Sequence, residues 1–208
     1  MIYELRRYTL RPGTRDTLIE LFEREFVDTQ EEAGIEVLAQ FRDPRAPDTF
    51  TWIRAFPDME ARFRSLTDFY TGAAWKAHAE AARATMVDTD DVLLLRPVLV
   101  PPFGEVPRAG ATGVTEGSGG ASPYQVTVFP VAEGSAARFA ELAAGAAACF
   151  ETEHAVNTYA PLPVREGENV FVRFTRGEDA PAEAALDDHL TGPPQHFLLH
   201  PTERSRVR

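Results

Sequence analysis

The residues with the most chemical potential in this sequence are arginines set among aromatic side chains. From Phe50 onward, strand alternation places Phe50, Trp52, Arg54 and Phe56 on one face and Thr51, Ile53 and Ala55 on the other. Near the start, the same period groups Glu4, Arg6 and Tyr8 against Tyr3, Leu5 and Arg7. The small face of the later strand suits helix packing, so the two polar sets are expected to share an interior enclosed by strands. There Glu4 pairs with Arg54 or Arg6, and Tyr8 and Trp52 form walls for a flat ligand. Arg173, preceded by Phe171, matches Arg54 in a later strand and is expected to point into the same space. Arginine in a dry site offers a fixed fork of donors, which suits an anionic or phenolic ligand. The plain alternative is a structural ion pair that fills the interior.

A proton-transfer candidate is His78, one helical turn after Trp75, so both reach the same region. The plain alternative is a core tryptophan with a histidine at its polar edge. Metal chemistry is not indicated. His196 and His200 flank Phe197-Leu198-Leu199, which reads as strand, where four residues span roughly 13 Å. Glu151, Glu153 and His154 read as solvated charge at a helix end, and Asp88, Asp90 and Asp91 lack the glycine and terminal glutamate of a calcium loop. Gly117 to Gly120 do not join a strand to a helix, and no serine-nucleophile motif is present. No cofactor and no metal is expected.

The elements that hold these residues follow from periodicity. Ile2 to Leu10 is rich in aromatic and branched residues and ends at Arg11-Pro12-Gly13, a strand and a turn. Thr14 is a candidate N-cap for a helix striped by Leu18, Leu21, Phe22 and Phe26, with Gly34 at its exit. Ile35 to Phe41 and Phe50 to Phe56 read as strands joined by a loop. Asp58 caps a helix striped by Met59, Phe63, Leu66 and Tyr70; Gly72 interrupts it, and Trp75, Ala79, Ala82 and Met86 resume the stripe before a strand from Val92 to Leu95. The order is βαββαβ.

Residues 101–123 are dominated by Pro, Gly, Ser, Ala and Thr and read as a linker between residues 1–100 and 124–208. The two halves match. Tyr3 to Tyr8 parallels Tyr124 to Phe129 at an offset of 121, Trp52-Ile53-Arg54 parallels Phe171-Val172-Arg173 at 119, and Leu93 to Val98 parallels Phe197 to Thr202 at 104. The shortening thus falls in the second helical region. The predicted fold class is α+β: two ferredoxin-like βαββαβ repeats whose bare sheet faces pack together as an α+β barrel.

The run Tyr3-Glu4-Leu5-Arg6-Arg7-Tyr8-Thr9-Leu10-Arg11-Pro12-Gly13 resembles the opening of NIPSNAP domains, with Gly34, Phe41, Phe56-Pro57, Arg62 and Trp75-Lys76-Ala77-His78 adding to the likeness. The resemblance covers residues 1 to 98 and is to a tandem-repeat, bacterial type of that family. It implies the dimeric α+β barrel superfamily, which includes cofactor-free monooxygenases, haem-degrading enzymes, isomerising and decarboxylating enzymes, and pure binders.

Composition sets the remaining bounds. The chain has 208 residues, 44% of them apolar, enough for a real core. A net charge of −11 disfavours nucleic acid. Lys76 is the one lysine among 21 basic residues, which fits a GC-rich genome. The single cysteine, Cys149, sits in the run Ala146-Ala147-Ala148-Cys149-Phe150, read as a packed helix with an inert buried thiol. No segment has the length and apolarity of a membrane span, and the start lacks a leader pattern, so a cytoplasmic protein without a membrane partner is expected.

Two functions remain open. One is a small-molecule enzyme, in its most specific form a cofactor-free monooxygenase, with a hydrophobic or aromatic substrate inside the barrel. The other is a non-enzymatic binding or assembly module with a filled barrel. Interior volume separates them. A homodimer through sheet edges or helices is compatible with either.

Overall fold

The structure is a computed structural model that describes residues 1–98, 102–103, 122–135, 139, 143, 145–177 and 189–207. Nine strands are described: β1 (Ile2–Leu10), β2 (Glu36–Arg42), β3 (Thr49–Phe56), β4 (Met86–Asp88), β5 (Val92–Pro97), β6 (Tyr124–Pro130), β7 (Ala148–Thr152), β8 (Val170–Arg176) and β9 (Gln195–Pro201). Eight of them form a closed antiparallel ring in the order β3-β2-β9-β6-β8-β7-β5-β1, sealed by β1 on β3, while the short β4 adds to the end of β1. Closure leaves the ring without an unpaired edge.

The join between the halves is made at strand edges. Within the first half the order is β5-β1-β3-β2, and within the second it is β9-β6-β8-β7. Arg42 of β2 then pairs with His200 of β9, and Pro97 of β5 with Phe150 of β7. Registers also run in parallel, since Tyr3 lies opposite Leu95 as Tyr124 lies opposite Leu199. One expected match shifts. Arg6 is opposite Trp52, and Thr127, which follows Arg6 by the offset of 121, is opposite Arg173. Arg173 therefore occupies the ladder position of Trp52, and Thr175 that of Arg54. Similar aromatic, aliphatic and arginine types in adjacent positions suggested the wrong register.

Inside the ring, side chains interdigitate. Tyr3, Leu5, Phe41, Ile53, Leu95, Tyr124, Phe150, Val172, Phe174 and Leu199 belong to one buried cluster, which Phe103 joins with its ring 5.0 Å from that of Phe174. A void of about 20 Å³ beside Leu5, Arg7, Thr51 and Phe197 has room for little beyond a single water. The described side chains fill the barrel interior.

The helices lie outside the ring. A first helical run, α1 (Arg15–Leu21) and α2 (Val27–Glu32), is continuous through a π-helical turn at Phe22–Phe26. Thr14 stands at its N-cap position, but its hydroxyl donates to the Arg11 and Thr85 carbonyls and caps no helical N–H. Gly34 ends the run at φ +85°, where a side chain is strained. The second run is α3 (Met59–Thr71) and α4 (Ala73–Thr85), divided at Gly72. Asp58 does cap α3, accepting from the Ala61 N–H at 2.7 Å.

Several expectations change. From Ala148 the Ala-rich run ending in Cys149-Phe150 is strand β7, because ladder pairing with β5 and β8 outweighs alanine's helix preference. Glu151 is accordingly in a strand, with Glu153 and His154 just beyond it. The polar sets of β1 and β3 do not face the barrel: Tyr8, Trp52 and Phe56 pack under the helices, while Leu5, Ile53 and Ala55 face inward. The small residues are on the inside because the barrel axis is crowded from both halves. Most of the proposed 101–123 linker, and most of the shortened region after β8, lie outside the described residues. No helix among those described is long and apolar enough to cross a membrane.

Candidate functional site

Glu4 lies at the centre of a buried polar cluster on the outer face of β1 and β3. Its carboxylate accepts from Arg6 Nη1 at 2.6 Å, Arg54 Nε at 2.7 Å and Arg62 Nε at 2.6 Å. All four side chains are fully buried. Register brings them together, because Glu4 and Arg54 are directly opposite in the ladder and α3 lays Arg62 across them. Three guanidiniums against one carboxylate leave two positive charges inside the protein. Burial acts to raise the Glu4 carboxyl, yet Arg54, Arg6 and Arg62 outweigh it and hold the group far below the usual carboxylate range.

Those cations are incompletely served. Arg54 Nη1 reaches Gln30 Oε1 at 3.2 Å and Arg62 Nη1 reaches Asn157 Oδ1 at 3.0 Å. The Nη2 atoms of Arg6, Arg54 and Arg62, and Trp52 Nε1, are buried without a hydrogen-bond partner among the described residues. Burial and the two neighbouring arginines lower the proton affinity of Arg62, whereas Arg6 is raised: burial opposes that rise, but Tyr8 and Glu4 prevail. The partners of one carboxylate thus shift in opposite directions. Proximity accounts for this, since Tyr8 adds a favourable neighbour to Arg6 alone; both remain guanidinium ions at any working pH.

Beside this cluster is a cavity of about 330 Å³ between sheet and helices. Tyr8 and Trp52 form its floor, Phe22 and Phe26 enter from the π-helical turn, and Phe69, Tyr70, Trp75 and Arg83 come from α3 and α4. The π-turn matters locally, because its extra residue per turn keeps both phenylalanines on the cavity side. Trp52 is held by Tyr8 at 5.9 Å and Phe22 at 4.8 Å, and Trp75 by Tyr70 at 4.8 Å, all at steep interplanar angles. The remaining wall comes from the second half. Tyr159, Pro161 and Leu162, in the loop after β7, cover the opening, with Tyr159 stacked on Tyr70 at 6.2 Å. Asn157 anchors that loop by accepting from Arg62 and donating to the Leu162 carbonyl at 2.9 Å.

Tyr8 connects cluster and cavity. Its hydroxyl accepts from Arg6 Nε at 3.0 Å, and the Arg6 guanidinium lies 5.5 Å from its ring centre. Burial, with a smaller contribution from Tyr70, raises the phenol above its ordinary value against the pull of Arg6, so it stays protonated at neutral pH. Arg83 is the one charged residue lining the cavity among the described residues, and its guanidinium lies 5.4 Å from the Trp75 ring.

Of the residues expected from sequence, Glu4, Arg6, Tyr8, Trp52, Arg54 and Trp75 are brought together, under the helices rather than in the barrel. His78 stands outside the cavity lining, with Nε2 3.3 Å from Glu25 and its ring against Phe26. Phe171 and Arg173 lie on the far half, in and beside a separate cluster with Phe129 and Phe139. They do not join Arg54, because β8 belongs to the other half of the ring and turns these two residues outward. Sequence reasoning missed Gln30, Asn157, Tyr159 and Leu162. The only signal for the last three was an aromatic and an amide in a stretch without periodicity. Among the described residues, no three of His, Cys, Asp and Glu group to hold a metal.

The molecule is thus an α+β protein built on a closed antiparallel barrel, with an aromatic cavity backed by buried cations. Residues 3–102 match the family model of NIPSNAP and form a NIPSNAP domain. Similar solved structures include a candidate monooxygenase from Fusobacterium nucleatum, 12% identical with a TM-score of 0.58 over 96% of this chain and 91% of that one. A candidate monooxygenase from Lactobacillus acidophilus is 13% identical, with a TM-score of 0.58 over 99% and 96%. An anthrone oxidase-like protein is 14% identical, with a TM-score of 0.55 over 97% and 91%. At these identities the likeness is one of fold. No curated protein matches the sequence.

Proposed function

We propose that the protein binds a flat, largely apolar small molecule in the cavity between the first-half helices and the sheet, and acts on it as a cofactor-free monooxygenase-like enzyme. The observation that carries this reading is the cavity itself: about 330 Å³, walled by Tyr8, Trp52, Phe22, Tyr70 and Trp75. That volume suits a molecule of one to three fused rings, and rigid aromatic walls orient a planar guest by stacking. The names of the similar structures, two candidate monooxygenases and an anthrone oxidase-like protein, support an oxygenase reading. Tyr8 is the residue placed to orient a polar atom of the substrate. The filled barrel favours a second reading, a non-enzymatic binding or assembly module, in which the same cavity serves as a carrier site or as a socket.

We also propose that residues 1–100 and 124–208 descend from two copies of one βαββαβ unit joined by residues 101–123. Matching strand order and the shared register of Tyr3 with Leu95 and Tyr124 with Leu199 support it. In this reading the second copy stands in for the partner subunit and supplies the cover of the cavity.

Both tryptophans of the chain line the cavity, so intrinsic fluorescence reports on it. Titration with 4-nitroanisole is expected to quench both tryptophans saturably, and Thr89→Phe at the cavity wall to abolish the effect. Absence of saturable quenching in the unaltered protein overturns the binding reading. Oxygen uptake with anthrone as probe, lost in Thr89→Phe, supports the enzyme; quenching by anthrone without uptake favours the carrier.

A further inference from the structure

We infer that the cavity selects a ligand carrying an acidic oxygen, such as a phenol or an enolisable ketone, and holds it as the anion with Tyr8 as its direct donor. This rests on the reading of the cavity as a small-molecule site and adds the chemical class of its ligand.

Charge is the first ground. The protein carries a net −11, yet Glu4, Arg6, Arg54 and Arg62 leave two buried positive charges directly behind Tyr8 and Trp52. The Arg6 and Arg54 guanidiniums lie 5.6 Å and 5.1 Å from the Trp52 ring. Arg83 adds a further positive charge at the exposed side, and no carboxylate is among the described residues that line the cavity. Buried cations in a low-dielectric setting act over several ångströms with little screening, so the cavity is a positive well in an acidic molecule. A fold gains nothing from such an excess, since uncompensated buried charge is costly. An anion in the cavity offsets it.

Hydrogen bonding is the second. Arginine has no acceptor, so the Tyr8 hydroxyl uses its oxygen toward Arg6 and keeps its proton to give. That proton has no acceptor among the described residues. Donation from Arg6 into the Tyr8 oxygen strengthens donation out of Tyr8 to the next atom, which is how a chain of such bonds polarises. The other polar groups lining the cavity among the described residues are Gln30, Trp52, Tyr70, Thr89, Tyr159 and Arg83, none of them a carboxylate. Gln30 is already engaged at both ends, donating to the Phe26 carbonyl at 3.2 Å and accepting from Arg54. Tyr8 therefore offers the ligand a donor strengthened by a buried cation, with the unpartnered Trp52 Nε1 on the same floor.

The test uses two probes of one shape. 4-Nitrophenol reports its own ionisation by visible absorbance, and 4-nitroanisole is its neutral counterpart. With the full chain, the bound phenol is expected to ionise at least about one pH unit below the free phenol, equivalent to at least tenfold tighter binding of the anion. Tyr8→Phe is expected to reduce the preference for the phenolate over the anisole about tenfold, and Arg6→Met to reduce it as well. Should Arg6→Met fail to fold, Tyr8→Phe alone decides. Binding of both probes with no lowering of the phenol's ionisation overturns the inference and leaves the apolar-ligand reading in place. Binding of neither probe overturns both.

Discussion

On the outer face of β1 and β3 the ladder carries Glu4, Arg6, Tyr8, Trp52 and Arg54; on the outer face of β6 and β8 the positions in register carry Gln125, Thr127, Phe129, Arg173 and Thr175. One face holds three buried cations around a carboxylate once Arg62 is added, and the other holds a single arginine over Phe129 with no acid in these positions. The inner faces differ much less. Tyr3, Leu5, Phe41 and Leu95 correspond in register to Tyr124, Val126, Phe150 and Leu199, and all are buried in one cluster. Barrel closure sets the same packing demand on the inward residues of both halves, whereas the outward ones answer to different neighbours. A cavity with polar backing exists where the first half's helices meet the second half's loop at Tyr159 and Leu162.

The comparison breaks most sharply at Glu4. Glu4→Gln leaves three buried guanidiniums without their carboxylate, and unfolding in urea is expected to show a loss of about 3–5 kcal/mol. A loss below 1 kcal/mol would mean the cluster is not the keystone of this face. For the inner faces, Phe41→Ala and Phe150→Ala are both expected to cost about 3–4 kcal/mol, equal within roughly 1 kcal/mol, since both fill the same ring. Strongly unequal values would contradict the equivalence of the two halves inside the barrel.

Acid unfolding sharpens the point. Glu4 ionises far below the ordinary carboxylate range when folded, so its contribution is fully present above the unfolded value near ~4 and is lost as pH falls toward the folded value. Stability below about pH 4 should therefore fall by about 2–3 kcal/mol more in the unaltered protein than in Glu4→Gln. Parallel pH profiles would place the acid-sensitive group elsewhere. Smallest is the effect at the position matching Glu4 in the second half, where Gln125→Ala is expected to cost about 1 kcal/mol in the same urea assay.

Much of this was legible in the sequence, and the part that was not has a physical cause. The period of two correctly grouped Glu4 with Arg6 and Tyr8, and Trp52 with Arg54. It could not say which group faces the barrel, because every residue of β3 is buried and both sides of the sheet are packed. The smaller face of β3 was expected under the helices, but Ile53 and Ala55 are inside, where rings from both halves meet. The Asp58 cap and the Gly72 break are local and were readable. Strand β7 was not, because the alanines that lead into it favour helix in isolation, and Ala148–Thr152 takes strand form only through partners distant in sequence. Asn157 and Tyr159 were invisible for a similar reason, since only closure of the ring carries their loop across α3.

The most direct measurement is a crystal structure of the full chain grown with 4-nitrophenol. The predicted result is one ring seated between Tyr8, Trp52 and Trp75, its phenol oxygen within hydrogen-bond distance of the Tyr8 hydroxyl. A probe found within the barrel, or a cavity under the helices left empty at saturating probe, would contradict the account.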